Sequence, residues 1–310
     1  MRGSDSESTQ GCVIVVGSIN HDTSFTVTEL PAPGQTVVSS EVSISTGGKG
    51  ANQAISAARL GARTAFIGSV GRDLAGREAL AVLDAEGVDT VDVELIAGSQ
   101  TGRATVAVAA TGEKVVFVAP GANAQVNGRR VVHTLSRRAS VSDVVVLQGE
   151  CGAAVIDQVA RHAVHAGIRL VLNLAPFVPL LPEVVASADP LIVNEREAAE
   201  LLGHLGSSVD DLDSLTRLAR SVVVIHGARG AWYAGPDGAA AVPAPPAMAI
   251  VDSTGAGDAL VGALASALSM GRSLPDAVTL GVAAGAFAAS RRGTHASYPF
   301  RNDVRLGANN

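Results

Sequence analysis

The chain has 310 residues, 47% of them apolar, which suits one large α/β domain or two small ones with a substantial core. Aromatic residues make up only 3%, so the core has to come from Ala, Val, Leu and Ile, and 34 glycines favour tight turns and close backbone approaches. A net charge of −6 argues against a nucleic-acid partner, and no apolar run reaches the ~20 residues that would cross a bilayer.

Residues 1–10 (MRGSDSESTQ) are polar and read as a disordered N-terminal extension without signal-peptide character. Strand signals begin at Val13–Gly17 (VIVVG), a β-branched run of the kind buried in parallel sheets. Gly50–Leu60 reads as a helix closed by Gly61, Arg63–Ser69 as a second strand, and Asp73–Glu86 as a helix capped by Asp73 and stopped by Gly87. This β-α-β-α alternation predicts a parallel sheet covered on both faces.

Two stretches interrupt the rhythm. Residues 24–45 carry Pro31, Pro33 and Gly34 and then the alternating VVSSEVSIS, while residues 91–119 hold RATVAVAA and KVVFVA around the turn Thr111-Gly112. Together they predict a small antiparallel sheet projecting from the main domain, with lid segments 23–45 and 91–119 inserted into a domain of residues 11–310. The α/β pattern resumes with strands at Val144–Gln148, Leu170–Asn173, Leu191–Val193 and Val222–His226. Helices are expected at Ala153–Ala166, Glu195–Leu202 and Ser208–Ala219, a hairpin at Gly230–Ala241, and small-residue helices at Ala256–Ser269 and Pro275–Arg291. Cys12 and Cys151, the only cysteines, each border an apolar run and read as buried free thiols in a reducing cytoplasm.

Four local patterns carry chemistry. Gly17-Ser-Ile-Asn20-His-Asp22 follows the first strand, where the carboxyl ends of an open sheet face ligands; Asn and Asp two apart either aim at a polar ligand or serve the turn. Thr46-Gly-Gly-Lys-Gly-Ala-Asn52 leads into a helix, whose N-terminus favours anions or hydroxyl oxygens. It lacks the Gly-Lys-Ser/Thr of a P-loop, but Lys49 is one of only two lysines, with Lys114. Asn194-Glu-Arg-Glu197 starts a helix with Asn194 and Glu197 on one face, suiting either a partly hydrated Mg²⁺ or an ordinary N-cap with an acidic first turn. Val251-Asp-Ser-Thr-Gly-Ala-Gly-Asp258 opens a long helix. Its amides at Gly255, Ala256 and Gly257 form a candidate anion hole for a transferring phosphoryl group, and Asp258 sits where a base for a substrate hydroxyl is needed.

Taken in this order and spacing, GSINHD, GGKGAN, NEREAAE and DSTGAGD resemble the ribokinase branch of the PfkB carbohydrate kinases, over roughly residues 12–300. The resemblance implies a ribokinase-like three-layer α/β/α domain with a small β-sheet lid. It implies ATP-dependent phosphorylation of the terminal hydroxyl of D-ribose. The alternating strands 37–45 and 102–118 would expose apolar faces if each lid stood alone, so a homodimer paired through its lids is expected, in the cytoplasm. Sugar contacts implied by position are Asn20, Asp22, Gly48, Lys49, Asn52, Glu150 and Asp258, with Ala104, Val106 and Val118 from the lid. Asp258 takes the role of base; Asn194 and Glu197 that of the Mg²⁺-associated pair; Asn194, Gly227, Gly230 and Gly257 that of nucleotide contacts. An activating monovalent cation, usually K⁺, is implied at Asp252, Thr254, Ala288, Arg291, Gly293 and Ser297, mostly through backbone oxygens.

The chain departs from that pattern in places. Ile225-His226-Gly227 stands where Thr-Leu-Gly is frequent, which leaves His226 either a nucleotide contact or an accident, the accident being preferred. Val282 occupies a position that often carries a polar residue near adenine, so the purine contact is expected to be apolar. The final family helix is expected to be short or absent. Two rivals remain: a related kinase for deoxyribose, another sugar or a nucleoside, and a catalytically silent sugar-binding protein.

Overall fold

Alternation along one strand decides the two faces of the domain. In β1 (Cys12–Val16) the side chains of Val13 and Val15 enter one buried cluster and those of Ile14 and Val16 another. The computed structural model describes residues 10–206, 212–245 and 249–304. Residues 1–9 of the expected extension, and 208–211 of the helix expected at 208–219, lie outside them.

After β1 come β2 (Asn20–Val27), β3 (Glu41–Gly47), α1 (Lys49–Arg59), β4 (Arg63–Gly71), α2 (Leu74–Ala85) and β5 (Val88–Ile96). Next are β6 (Gly102–Ala109), β7 (Lys114–Ala119), α3 (Gly128–Arg138), β8 (Val144–Gln148), α4 (Ala153–Ala166), β9 (Arg169–Asn173) and α5 (Pro182–Ala186). The chain continues through β10 (Leu191–Asn194), α6 (Glu195–His204), α7 (Leu212–Thr216), β11 (Val222–Ile225), β12 (Ala231–Gly235) and β13 (Gly238–Val242). It closes with α8 (Ala256–Ser269) and α9 (Leu274–Ala289); a turn follows Phe300, with no further helix among the described residues.

The main sheet has nine strands in the order β13-β12-β11-β10-β9-β8-β1-β4-β5. Pairing is parallel from β11 to β5, and the hairpin β12–β13 extends it antiparallel at one edge. Helices α1, α2, α8 and α9 bury their apolar residues on one face, and α3, α4, α5 and α6 on the other, which makes three layers. Asp73 caps α2 by accepting from Gly76 N–H, as its sequence position predicts.

A second sheet of four strands, β3-β2-β6-β7, stands apart from the first. Two expectations about it need correction. It is not purely antiparallel, because β2 and β6 pair in parallel from Asn20↔Gly102 to Val27↔Ala109. Residues 91–96 are not part of it: they belong to β5, the edge of the main sheet beside β4, so the second insertion enters the small sheet only at Gly102. As an edge strand β5 alternates buried and exposed residues much as a lid strand would, and the pattern alone does not separate the two cases.

One close helix contact positions the site. A Cβ on Gly262 of α8 would stand 2.3 Å from the Gln53 carbonyl oxygen and 2.5 Å from Ser56 Cβ on α1. Glycine therefore lets α8 lie against α1, and Ser56 Oγ donates to the Ala259 carbonyl at 2.8 Å across the seam. That seam carries the start of α8 to the start of α1.

Candidate active site

Asn20 and Asp22 point to the same side of β2, two residues apart. Asn123, in the turn after β7, donates through Nδ2 to Asn20 Oδ1 at 2.8 Å and to the Ile19 carbonyl at 3.0 Å. It also accepts from Ile19 N–H at 3.0 Å, so both ends of its amide hold the entry to β2. Asp22 Oδ1 is buried with no hydrogen-bond partner among the described residues. Burial, then the negative charges of Glu150 and Asp258, push the Asp22 carboxyl up to about 7.

The start of α1 supplies the next groups. Gly48 is its N-cap residue, and the Lys49 N–H donates to Glu150 Oε2 at 3.0 Å. Ser18 Oγ donates to the same oxygen, which fixes Glu150 against the end of β1. Asp258 holds the buried Lys49 ammonium above its ordinary range, against the desolvation that opposes it, with Glu150 and Glu197 reinforcing the effect. The ammonium thus stays charged among carboxylates. Asn52 Nδ2 donates to Asp258 Oδ2 at 3.1 Å, and Asn52 Oδ1 is buried without a partner among the described residues.

Asp258 lies in the first turn of α8, 7% exposed. Gln53 Nε2 donates to its Oδ1 at 2.9 Å and to Asn173 Oδ1 at 3.0 Å, and Gln148 Nε2 in turn donates to Gln53 Oε1 at 2.9 Å. An amide chain running under the sheet's carboxyl edge therefore aligns both oxygens of the carboxylate. Gly255, at φ 76°, is the N-cap of α8, and no side chain caps this helix. A Cβ there would meet Tyr298 Oη at 2.6 Å, so the left-handed turn requires glycine twice over. Of the three amides read as an anion hole, that of Ala256 reaches the Ser253 carbonyl at 3.3 Å, a long turn bond.

A cavity of about 280 Å³ opens on the other side of this helix start and is bounded by Gly227, Gly230, Gly257 and Val282, among others. His226 is not in its wall: its Nδ1 pairs with Glu195 Oε1 at 3.0 Å. Asn194 and Glu197 form a reciprocal capping box, with Asn194 N–H on Glu197 Oε2 at 2.9 Å and Glu197 N–H on Asn194 Oδ1 at 2.9 Å. Burial raises the Glu197 carboxyl, and Lys49 is close enough to pull it back down in part.

Asp252 joins the two segments read as a cation site. Its Oδ1 accepts from Thr254 N–H at 2.9 Å and its Oδ2 from Gly293 N–H at 3.1 Å. Burial opposes its charge, but these bonds hold its carboxyl below the usual range. Ser297 Oγ donates to the Thr294 carbonyl at 2.7 Å, the Ala288 carbonyl receives Arg291 N–H at 3.0 Å, and the Arg291 guanidinium stacks over Phe287. Arg59 anchors this segment from α1: it forms a bidentate pair with Glu86 and donates to the carbonyls of His295 and Tyr298 at 2.7 and 2.9 Å. In the lid, register sets Ala104 beside Asp22 on one flank and Val118 on the other, with Val106 one step further along the same face.

Sequence reasoning missed Ser18, Gln53, Asn123, Gln148 and Asn173. Gln148 and Asn173 end strands at the carboxyl edge, a position that flags them in retrospect. Asn123 and Gln53 carry no local signal; only the fold brings them in.

These features can be set beside known proteins. A model of the pfkB family carbohydrate kinases matches residues 11–301. A ribokinase of Haemophilus influenzae is 32% identical over 298 residues, covering 94% of this chain and 96% of that relative. The crystal structure of a ribokinase from Thermotoga maritima aligns with a TM-score of 0.83 at 28% identity, covering 94% of this chain and 97% of its own. Arabidopsis thaliana ribokinase complexed with ribose and ATP gives 0.81 at 27% identity, covering 94% and 96%. The buried aspartate after a glycine turn, the amide chain behind it and the separate four-stranded sheet thus have a common explanation: this chain belongs to the pfkB family of carbohydrate kinases.

Proposed function

We propose that the chain transfers the γ-phosphoryl group of ATP to the 5-hydroxyl of D-ribose, giving ribose 5-phosphate and ADP. The observation that carries this reading is the set of buried groups around Asp258. Its carboxylate is aligned by Asn52 and Gln53 at an uncapped helix start, and Asp22 Oδ1 and Asn52 Oδ1 are buried acceptors without donors. Such acceptors are costly to bury unless a ligand supplies the missing hydrogens. A free pentose, rich in hydroxyl groups, does so.

In this account Asn20, Asp22, Gly48, Lys49, Asn52 and Glu150 hold the sugar, and Ala104, Val106 and Val118 cover it. Asp258 accepts the proton of the 5-hydroxyl as that oxygen attacks phosphorus, and the Gly255–Gly257 amides receive charge developing on the phosphoryl oxygens. The nucleotide lies along the cavity lined by Gly227, Gly230 and Gly257. Mg²⁺ would neutralise phosphate charge; Asn194 and Glu197 are suited to hold it through water, since the capping bond from Asn194 N–H takes only one Glu197 oxygen. For K⁺ the donors would be the Asp252 carboxylate with backbone oxygens of Thr254, Ala288, Arg291, Gly293 and Ser297. One carboxylate with several carbonyl oxygens is a hard-oxygen set, of the kind that suits a hard cation.

The homodimer is proposed on register. Pairing puts Phe25, Val42, Ile44, Ala107, Val115 and Phe117 on one lid face, the side opposite Asp22. Ile44 and Phe117 there are 65% and 67% exposed, an apolar face that a second lid would cover. A monomeric mass by light scattering at micromolar concentration would remove the dimer from the account. A cytoplasmic location is part of the proposal, supported by Cys12 and Cys151 being free thiols of the kind a reducing compartment keeps. Among the described residues no helix is long and apolar enough to cross a membrane.

The deciding experiment is sugar-dependent ADP release over ribose, deoxyribose, fructose and adenosine. Ribose is expected to give the highest kcat/KM. Preference for another acceptor would redirect the substrate, and no release with any of the four would overturn the reading.

A further inference from the structure

We propose that this kinase does not select its phosphoryl donor by base, and that it uses inosine and guanosine triphosphates nearly as well as ATP. The inference rests on the proposed function for one thing only, the assignment of the cavity beside the start of α8 to the donor nucleotide.

The walls of that cavity come from the β11–β12 turn, from α8 and from α9. The larger side chains facing it are Ile225, Pro245, Ile250, Leu260 and Val282, none of which can donate or accept a hydrogen bond. Among the described residues of the lining, the one side-chain hydroxyl is that of Ser253, whose carbonyl receives Ala256 N–H; this sets it beside the glycine turn. On the neighbouring stretch the described residues 243–245 and 249–251 are Pro, Ala, Pro, Ala, Ile and Val, with no polar side chain among them.

Two polar side chains on the adjoining turn are committed elsewhere. His226 and Arg229 both bond Glu195, and neither lines the cavity. Part of the turn's main chain is bonded within the turn, with His226 N–H on the Gly230 carbonyl at 2.8 Å and Gly230 N–H on the Gly227 carbonyl at 3.0 Å. At the end of α9 the Ala289 carbonyl already receives Val251 and Asp252 N–H at 2.8 and 3.1 Å.

Adenine carries a donor at C6 and an acceptor at N1, and hypoxanthine and guanine reverse both. A site that hydrogen-bonds such an edge rejects the wrong analogue by about 10⁴–10⁵-fold, whereas an apolar wall separates close analogues by only ~10–200-fold. Stacking and apolar contact do not sense the reversal. Purines should therefore be equivalent here, and cytidine nucleotides weaker only by their smaller buried area.

The first arm of the test needs no sugar. Binding of ADP, IDP, GDP and CDP, each with Mg²⁺, is measured by calorimetry on the full chain, and initial rates with ribose are then measured for the matching triphosphates. The expected result is Kd values for ADP, IDP and GDP within about tenfold of one another, with kcat/KM in the same narrow range. ADP binding more than about tenfold tighter than both IDP and GDP would overturn the inference, as would no binding of any diphosphate. Equal binding of the purine diphosphates with no ribose phosphorylation from any donor would support it while removing the sugar assignment, so the two failures are distinguishable.

Discussion

On the side of α8 that meets α1, polar side chains are buried and bonded to one another; on the side that meets α9, the same helix borders a cavity walled by aliphatic groups. The two regions share a helix start and differ in what they ask of a ligand. The first holds buried acceptors at Asp22 and Asn52 whose burial is repaid only by donors in the right places. The second asks for flat apolar surface and little else. Under the proposed function, discrimination belongs to the end that takes the sugar and tolerance to the end that takes the nucleotide.

The strongest way to break the polar end is Asp258→Asn. Asn keeps the size and can still bond the hydroxyl but cannot accept its proton, so kcat should fall by about 10²–10⁴-fold with sugar and nucleotide affinity largely kept. Turnover within a few-fold of the parent would reduce Asp258 to a member of the first turn of α8.

Gly262→Ala attacks the seam that brings Asn52 and Gln53 to Asp258. Its new methyl group would meet the Gln53 carbonyl, and the strain should cost about 1–3 kcal/mol in a denaturant titration. An unchanged midpoint would mean that α8 and α1 can separate without penalty.

A pH series sharpens the comparison further. With its carboxyl raised to about 7 by burial and by Glu150 and Asp258, ligand-free Asp22 favours the protonated form when folded. Its contribution to stability is therefore fully present below the ordinary carboxylate range and is lost as pH rises through about 7. Ribose hydroxyls need the ionised acceptor, so ribose affinity should weaken by up to about tenfold per pH unit below 7 and level off above it. Asp22→Asn should bind ribose weakly at every pH, without that slope, and a slope that survived the substitution would place the titration elsewhere.

The smallest effect belongs to Tyr298. Its hydroxyl is also buried without a partner among the described residues, and a Cβ on Gly255 would stand 2.6 Å from it. Tyr298→Phe should raise stability by about 1 kcal/mol in thermal unfolding. A loss of that size would reveal a bond that the hydroxyl makes.

Much of this was legible in the sequence because it is local. Gly255 to Asp258 form one turn, Asn194 and Glu197 one cap, and Lys49 and Asn52 one helix start, so their neighbours in sequence are their neighbours in space. The capping box at Asn194 was legible too, as the plain alternative to a metal role, and it forms. What escaped depended on tertiary contact. Gln53 reads as an unremarkable helix residue until Gly262 brings α8 over it, and Asn123 reads as a turn residue until its amide closes on Ile19 and Asn20. The parallel pairing of β2 with β6 escaped for the same reason: hairpin turns announce antiparallel neighbours, and nothing local announces a parallel one.

The central claim is most directly tested by a crossed kinetic matrix, with kcat/KM measured for ribose, deoxyribose, fructose and adenosine against ATP, ITP and GTP. The account predicts large differences along the acceptor axis, with ribose highest, and differences within about tenfold along the donor axis. A matrix that is flat across acceptors and steep across donors would contradict it.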